Sequence, residues 1–253
     1  MGTSKTSDVP VRKNTDRHYD YSPGHRFLEI VAIALCLATL GEFSWRLIVG
    51  VMATPGLASV AWLVGAAFLG YLCADLASGV VHWLADRFGS PETPILGEAF
   101  VHPFREHHTF PEKILEHDFV EVNGNNCVAM LLVLIPMQFI LPAALSGWWI
   151  GLASFVVTFS FGIFMTNQFH QWAHASEVSP VVAFLQRSRL VLSPEAHDRH
   201  HTLPYESDYC ITSGWMNPLL ERINLFGGIE KLLNHQGPAP YEPGAAEEQA
   251  GAE

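Results

Sequence analysis

The chain is short of charge. Only 15% of its 253 residues are Asp, Glu, Lys or Arg, against roughly a quarter in an ordinary globular protein, and the deficit points to a membrane. Positive charge is scarcer still. Fourteen Lys and Arg face 25 Asp and Glu, a formal charge of -11 that argues against a protein built to coat a nucleic-acid backbone. Cysteine is sparse, and Cys36, Cys73, Cys127 and Cys210 are too dispersed to form a CxxC pair or the disulfide framework of a small secreted protein. They read as small apolar residues of packed helices. Two metalloenzyme patterns are also missing: HExxH, with its Glu base, and the ExxH of carboxylate-rich di-iron bundles. No tandem repeat is visible.

What the chain has instead is apolar runs and histidine. Stretches at about Phe27–Met52, Leu57–Trp83, Asn126–Leu145 and Trp148–Phe169 each supply the roughly 20 helical residues that cross about 30 Å of hydrocarbon. The basic tail before the first resembles a signal-peptide n-region only weakly, since no A-x-A-like site closes the apolar run. The turns around Pro55–Gly56 and Ser146–Gly147 are short and uncharged, whereas the other connections are long. A four-span hairpin pair therefore puts both termini and the central loop on one side. Of the 14 basic residues only Arg46 falls elsewhere, so the positive-inside rule places that side in the cytoplasm. The expected fold is an all-α integral membrane protein: four transmembrane helices, a cytoplasmic histidine-rich di-metal cap and short interfacial helices. Residues 1–25 read as a cytoplasmic tail, 26–236 as the membrane domain and 237–253, rich in Pro, Gly, Ala and Glu, as a disordered tail.

Several polar residues interrupt the apolar runs. Glu42 and Arg46 are four apart and able to pair. Asp75 shares a helix face with Gly79 and His82, which leaves open a structural pairing or a supporting role behind a metal ligand. Asn123, Asn125 and Asn126 read as loop or cap hydrogen-bonders at the entry of the third helix, or as groups positioning water or a ligand. Ser179–Leu192 reads as an interfacial helix with Arg187 and Arg189 toward headgroups.

The 13 histidines are not scattered. The second span ends in HWLAD, with His82 and Asp86 at i and i+4. The central loop holds HPFREHH, with His102, His107 and His108, and then EHDF with His117. The fourth span ends in NQFHQWAH, which puts His170 and His174 one turn apart, and EAHDRHH supplies His197, His200 and His201. Imidazole suits iron, zinc, copper and nickel alike, but nine or ten clustered histidines exceed the three or four that one zinc takes. Two metals, each with about four histidines and an open position, account for the number. Adjacent pairs such as His107 with His108, and His200 with His201, diverge by about 100° on a helix and so serve different metals. A redox metal working on an unactivated C–H bond at a membrane interface fits best, because zinc does not cycle electrons.

The run VVHWLAD, GEAF, PFREHH, HDFVEVNGNNC, TNQFHQWAH, HDRHH and YCITSGWMNPLLE resembles the plasmanylethanolamine desaturase family, including its bacterial carotenoid-regulatory homologues, over about Gly70–Leu233. The resemblance implies that His82, His107, His108, His117, His170, His174, His197, His200 and His201 take the family's metal-binding or catalytic positions, with Asp86 at its acidic position after the first and His102 an outer-shell group. It implies two iron ions and O2-dependent oxidation of a 1-O-alkyl ether phospholipid to its 1-O-alk-1'-enyl (vinyl ether, plasmalogen) product, with two electrons and two protons consumed and water released. It also implies an external electron donor such as cytochrome b5 or ferredoxin with its reductase, and a place in the bacterial inner membrane. A fatty-acyl or other lipid desaturase or hydroxylase with the same di-iron logic is the nearest alternative. A zinc hydrolase or a metal transporter fits less well, since the histidines collect at one face and make no row across the bilayer.

Overall fold

The structure, a computed structural model, describes residues 22–88, 104, 107, 108 and 110–235. His102 and Arg105, and most of both proposed tails, lie outside the described residues. Four helices are long and apolar enough to cross a membrane: α1 Pro23–Ala53, α2 Leu57–Arg87, α3 Phe119–Ile140 and α4 Trp148–His174. Four short helices follow, α5 Pro180–Arg187, α6 Pro194–His200, α7 Asn217–Arg222 and α8 Leu225–Leu232, and one 3-10 turn, Pro111–Glu116, precedes α3.

Local chemistry sets the ends. Ser22 caps α1 by accepting the His25 N–H, and Pro23 follows at a position that needs no donor. Asp118 and Glu121 form a reciprocal capping box that starts α3. That box corrects the expected span: the helix begins seven residues before Asn126, so the asparagines are neither loop nor cap. Asn123 donates to Gln168 Oε1 (3.3 Å) and Asn126 to the Ile163 carbonyl (2.9 Å), each tying α3 to α4. The far end of α3 stops at Leu141, where Arg46 donates to the Leu141 carbonyl (2.9 Å) and the Pro142 carbonyl (2.5 Å) and stands 3.5 Å from Glu42. The Glu42–Arg46 pair thus also anchors α1 to the end of α3.

The helices alternate in direction, with α2 lying along α4 and α1 along α3, and α4 also meets α1 and α3. One apolar core runs between α1, α3 and α4 through Cys36, Phe43, Leu134, Ile150 and Phe164. All four cysteines are free, three of them buried. The α2–α4 seam is closed by small residues, which let backbones approach. A Cβ at Gly162 would stand 2.6 Å from the Ala74 Cβ. Gly162→Ala is therefore expected to cost about 1–3 kcal/mol of overpacking, read as a lower melting temperature in detergent; an unchanged melt would contradict the seam.

Alternation brings the starts of α1 and α3 and the ends of α2 and α4 to one end of the bundle, where Arg26 clasps Asp118 at 2.8 and 2.6 Å. At 31 residues, α2 is about 46 Å long, more than the roughly 30 Å of hydrocarbon. Its last turns, carrying His82 and Asp86, have length to spare beyond the apolar layer. Two small apolar clusters build this end. Trp83, Tyr209, Cys210, Leu220 and Phe226 lie under the end of α2, and Phe169, Ala173, Val191, Leu192 and Ile211 under the end of α4. The adjacent residues Tyr209, Cys210 and Ile211 join the two. Next to them α5 is amphipathic, with Val182 and Gln186 buried and Val181, Phe184 and Arg187 exposed.

Candidate metal centre

Eight histidines and Asp86 converge at this end in two groups. His107, His170, His174, His197 and His201 form the first, and His82, Asp86, His108 and His200 the second. In each adjacent pair, one ring goes to each group: His107 and His201 to the first, His108 and His200 to the second. Helix geometry explains the α6 pair, since neighbours diverge by about 100° and His200 and His201 fall to opposite sides of His197.

The first group has a definite shape. Around a circuit, the Nε2 atoms of His107, His170, His197 and His201 are separated by 2.9, 2.8, 2.9 and 3.1 Å. His107 and His197 lie across the circuit, their ring centroids 6.0 Å apart. The Nε2 of His174 stands off the circuit, 2.9, 3.2 and 2.7 Å from those of His107, His170 and His197. Edges of 2.8–3.1 Å are close enough for these nitrogens to share one ion at the ordinary metal–imidazole distance of about 2.0–2.1 Å. Five imidazoles are one more than a four-coordinate zinc site holds. Among the described residues, ring contacts between the two groups all run to histidines of the circuit: His82 to His170, His108 to His107 and His201, His200 to His197 and His201. The second group therefore lies beside His107, His170, His197 and His201 rather than beside His174.

In the second group, Asp86 Oδ2 lies 3.3, 3.1 and 3.6 Å from the Nε2 atoms of His82, His108 and His200. His82 and His200 are fully buried, and the Nε2 of each, with Asp86 Oδ1, has no hydrogen-bond partner among the described residues. Their other ring nitrogens are engaged: His82 Nδ1–H donates to the Tyr209 carbonyl (3.1 Å) and His200 Nδ1–H to the Ser207 carbonyl (2.7 Å). That bond fixes the tautomer and turns an Nε2 lone pair inward, the arrangement a metal-binding histidine needs. Buried lone pairs aimed at a carboxylate fit a cation.

Burial, reinforced by neighbouring rings, holds His107 and His197 well below the ordinary histidine value. Burial likewise lowers His200 to about 4 and His201 to about 2. These rings stay neutral near pH 7, as ligation requires. With folded values below the unfolded one of about 6.5, the unfolded chain takes up protons first as pH falls, so stability rises with pH across this window. Metal-free protein is expected to melt progressively lower from pH 7 to pH 5; a flat profile would contradict the neutral cluster.

His117 is not brought to either group. Half exposed, it places Nδ1 3.3 Å from Glu121 Oε2, while its carbonyl accepts from Gln171 (2.9 Å). His117→Ala is expected to leave the metal content of purified protein unchanged; loss of a metal would restore it to the ligand set. The sequence reading missed the Ser207 and Tyr209 carbonyls, because a main-chain acceptor has no residue signature, and the rings of Phe104 and Tyr205, 5.1 and 4.9 Å from His82 and His108. Only YCITSGWMNPLLE, a patterned segment near the histidines, hinted at a cover here.

Comparison with known proteins places this geometry in a context. The lipid desaturase domain family matches residues 71–241. A plasmanylethanolamine desaturase of Myxococcus xanthus is 45% identical, covering 84% of this chain and 73% of that protein. Plasmanylethanolamine desaturase 1 of Mus musculus is 37% identical over 84% of this chain and 79% of its own. Fatty acid desaturase 4-like 1, chloroplastic, of Arabidopsis thaliana is 33% identical over 90% and 73%. No solved structure matches.

Proposed function

The chain belongs to the lipid desaturase family that includes the plasmanylethanolamine desaturases, and on that premise we propose that it oxidises a 1-O-alkyl ether phospholipid to the 1-O-alk-1'-enyl product. The reading rests on one observation above all: five imidazoles gathered in one group beside a second group of three imidazoles and a carboxylate. Two iron ions are the proposed occupants. Held by His107, His170, His174, His197 and His201 on one side and His82, Asp86, His108 and His200 on the other, iron supplies the redox chemistry with O2 that zinc lacks.

The chain's own residues do the rest. Burial of His82, His170, His197 and His200 keeps bulk water from the reacting carbon. Nδ1–H bonds to the Ser207 and Tyr209 carbonyls hold two rings in register. Exposed apolar side chains of the long helices, including Val81, Leu84 and Phe119 at the metal end and Leu132 further along, sit in lipid and let an alkyl tail approach laterally while its phosphate headgroup stays at the interface. Both electrons come from outside, from a donor such as cytochrome b5 or ferredoxin with its reductase. We place both termini and the metal groups on the cytoplasmic side of a bacterial inner membrane, supported by the basic residues: among the described ones, only Arg46 lies at the opposite end of the bundle.

The test is ether-phospholipid mass spectrometry on cells without plasmalogens, expressing the chain under air with 1-O-alkyl lipid supplied. The expected product is lighter by two hydrogens and releases a fatty aldehyde in acid. A second reading, acyl-chain desaturation, is favoured by the Arabidopsis relative. An acid-stable alkene in an acyl chain, with the ether lipid untouched, would establish it instead.

A further inference from the structure

Asp75 lies two turns before His82 on α2 and is fully buried, yet it reaches neither metal group. Its Oδ1 accepts the N–H of Ser213 (2.7 Å) and of Gly214 (2.9 Å), and its Oδ2 that of Met216 (2.9 Å). Three main-chain donors folded around one carboxylate form an anion nest. Gly214, at φ +75°, takes the left-handed turn that curls the segment back onto it. Beside it, Ser78 Oγ donates to the Asp75 carbonyl (2.7 Å) and accepts the Ile211 N–H (3.1 Å). The Asn217 side chain closes the turn on itself, accepting the Cys210 N–H (2.9 Å) and donating to the Cys210 carbonyl (3.1 Å). Gly79 leaves room for Cys210 to lie against the helix.

This segment, residues 207–216, delivers the Ser207 carbonyl to His200 and the Tyr209 carbonyl to His82. Both histidines belong to the second group, and among the described residues none of its hydrogen bonds runs to the five-histidine group. We infer that Asp75 is a positioning residue for one metal site out of two: by holding the segment on α2, it sets the tautomer and direction of His82 without touching the metal. The inference rests on the metal reading above for what the site binds, but not for how the ring is held.

Two measurements on Asp75→Asn in detergent test it. The amide keeps one acceptor oxygen and sets an NH2 against a main-chain N–H, so the nest loosens with little change in volume. After anaerobic reconstitution with ferrous iron, content is expected to fall from two ions per chain toward one, with loss of any spectroscopic coupling between them. In metal-free protein, nitrogen NMR of labelled histidine is expected to show His82 leaving the Nδ1–H tautomer for a mixture. Ser78→Ala is expected to produce both effects more weakly, and it decides the matter by the same readings if Asp75→Asn does not fold. Two retained ions with an unmoved His82 tautomer overturn the inference, and so does simultaneous loss of both ions, which a merely structural role predicts. Wild-type protein that takes up no metal overturns the functional reading instead, and the tautomer measurement still decides the role of Asp75.

Discussion

Replacing His174 or His200 by alanine is expected to abolish turnover while leaving membrane insertion intact. Removing a group that only orients a metal ligand costs about 10–100-fold, so loss of a ligand itself is expected to cost at least about 100-fold. The two variants probe different sites. His174 is the one member of the five whose ring makes no contact with the second group among the described residues, and its loss leaves four imidazoles in the first group. His200 is fully buried beside Asp86 and joins the two groups through its rings with His197 and His201. Neither belongs to the apolar core of α1, α3 and α4, so insertion does not depend on them. The checks are product formation and metal content against membrane-fraction yield. Turnover retained in both variants would sink the proposed centre.

Arg87→Ala is expected to have the largest effect on stability. Arg87 ends α2 and is almost wholly buried, bonding Glu230 through Nε (2.9 Å) and Nη2 (2.8 Å) and standing 3.1 Å from Glu206. Trp83 Nε1 donates to the same Glu230 carboxylate at 2.7 Å. Burial works to raise the Glu230 pKa, but these hydrogen bonds outweigh it and hold the carboxyl below its ordinary value. Removing the guanidinium leaves a carboxylate that is 14% exposed with only the Trp83 N–H, a loss of about 3 kcal/mol, the low end for breaking a buried pair. At about 2–4 °C per kcal/mol for a chain of this size, the melting temperature in detergent is expected to fall on the order of 10 °C. Arg87→Lys is expected to recover only part, since an ammonium offers no planar fork. A fall under about 2 °C would refute the clamp.

Both predictions concern the end of the bundle, where composition says most about chemistry and least about arrangement. Four spans, their alternation and the gathering of histidines at one end were legible because hydrocarbon imposes a length and helix periodicity imposes a face. The split of His200 from His201 was legible for the same reason. The start of α3 was misplaced because hydropathy marks where a helix is apolar, whereas a polar capping box, Asp118 with Glu121, marks where it begins. His117 carries the same motif signature as the histidines of the two groups, and only its position beside Glu121 sets it apart.

By itself, then, the sequence determined a four-span helical membrane protein with enough imidazole at one end for two metals, since those features follow from local composition and period. Tertiary structure decided the division into five histidines and three with Asp86, the contact between the two groups, and the main-chain carbonyls that orient His82 and His200. Those depend on how α6 and residues 207–216 dock against the ends of α2 and α4, and that docking is set by buried contacts between segments from 23 to 138 residues apart, which no local pattern records.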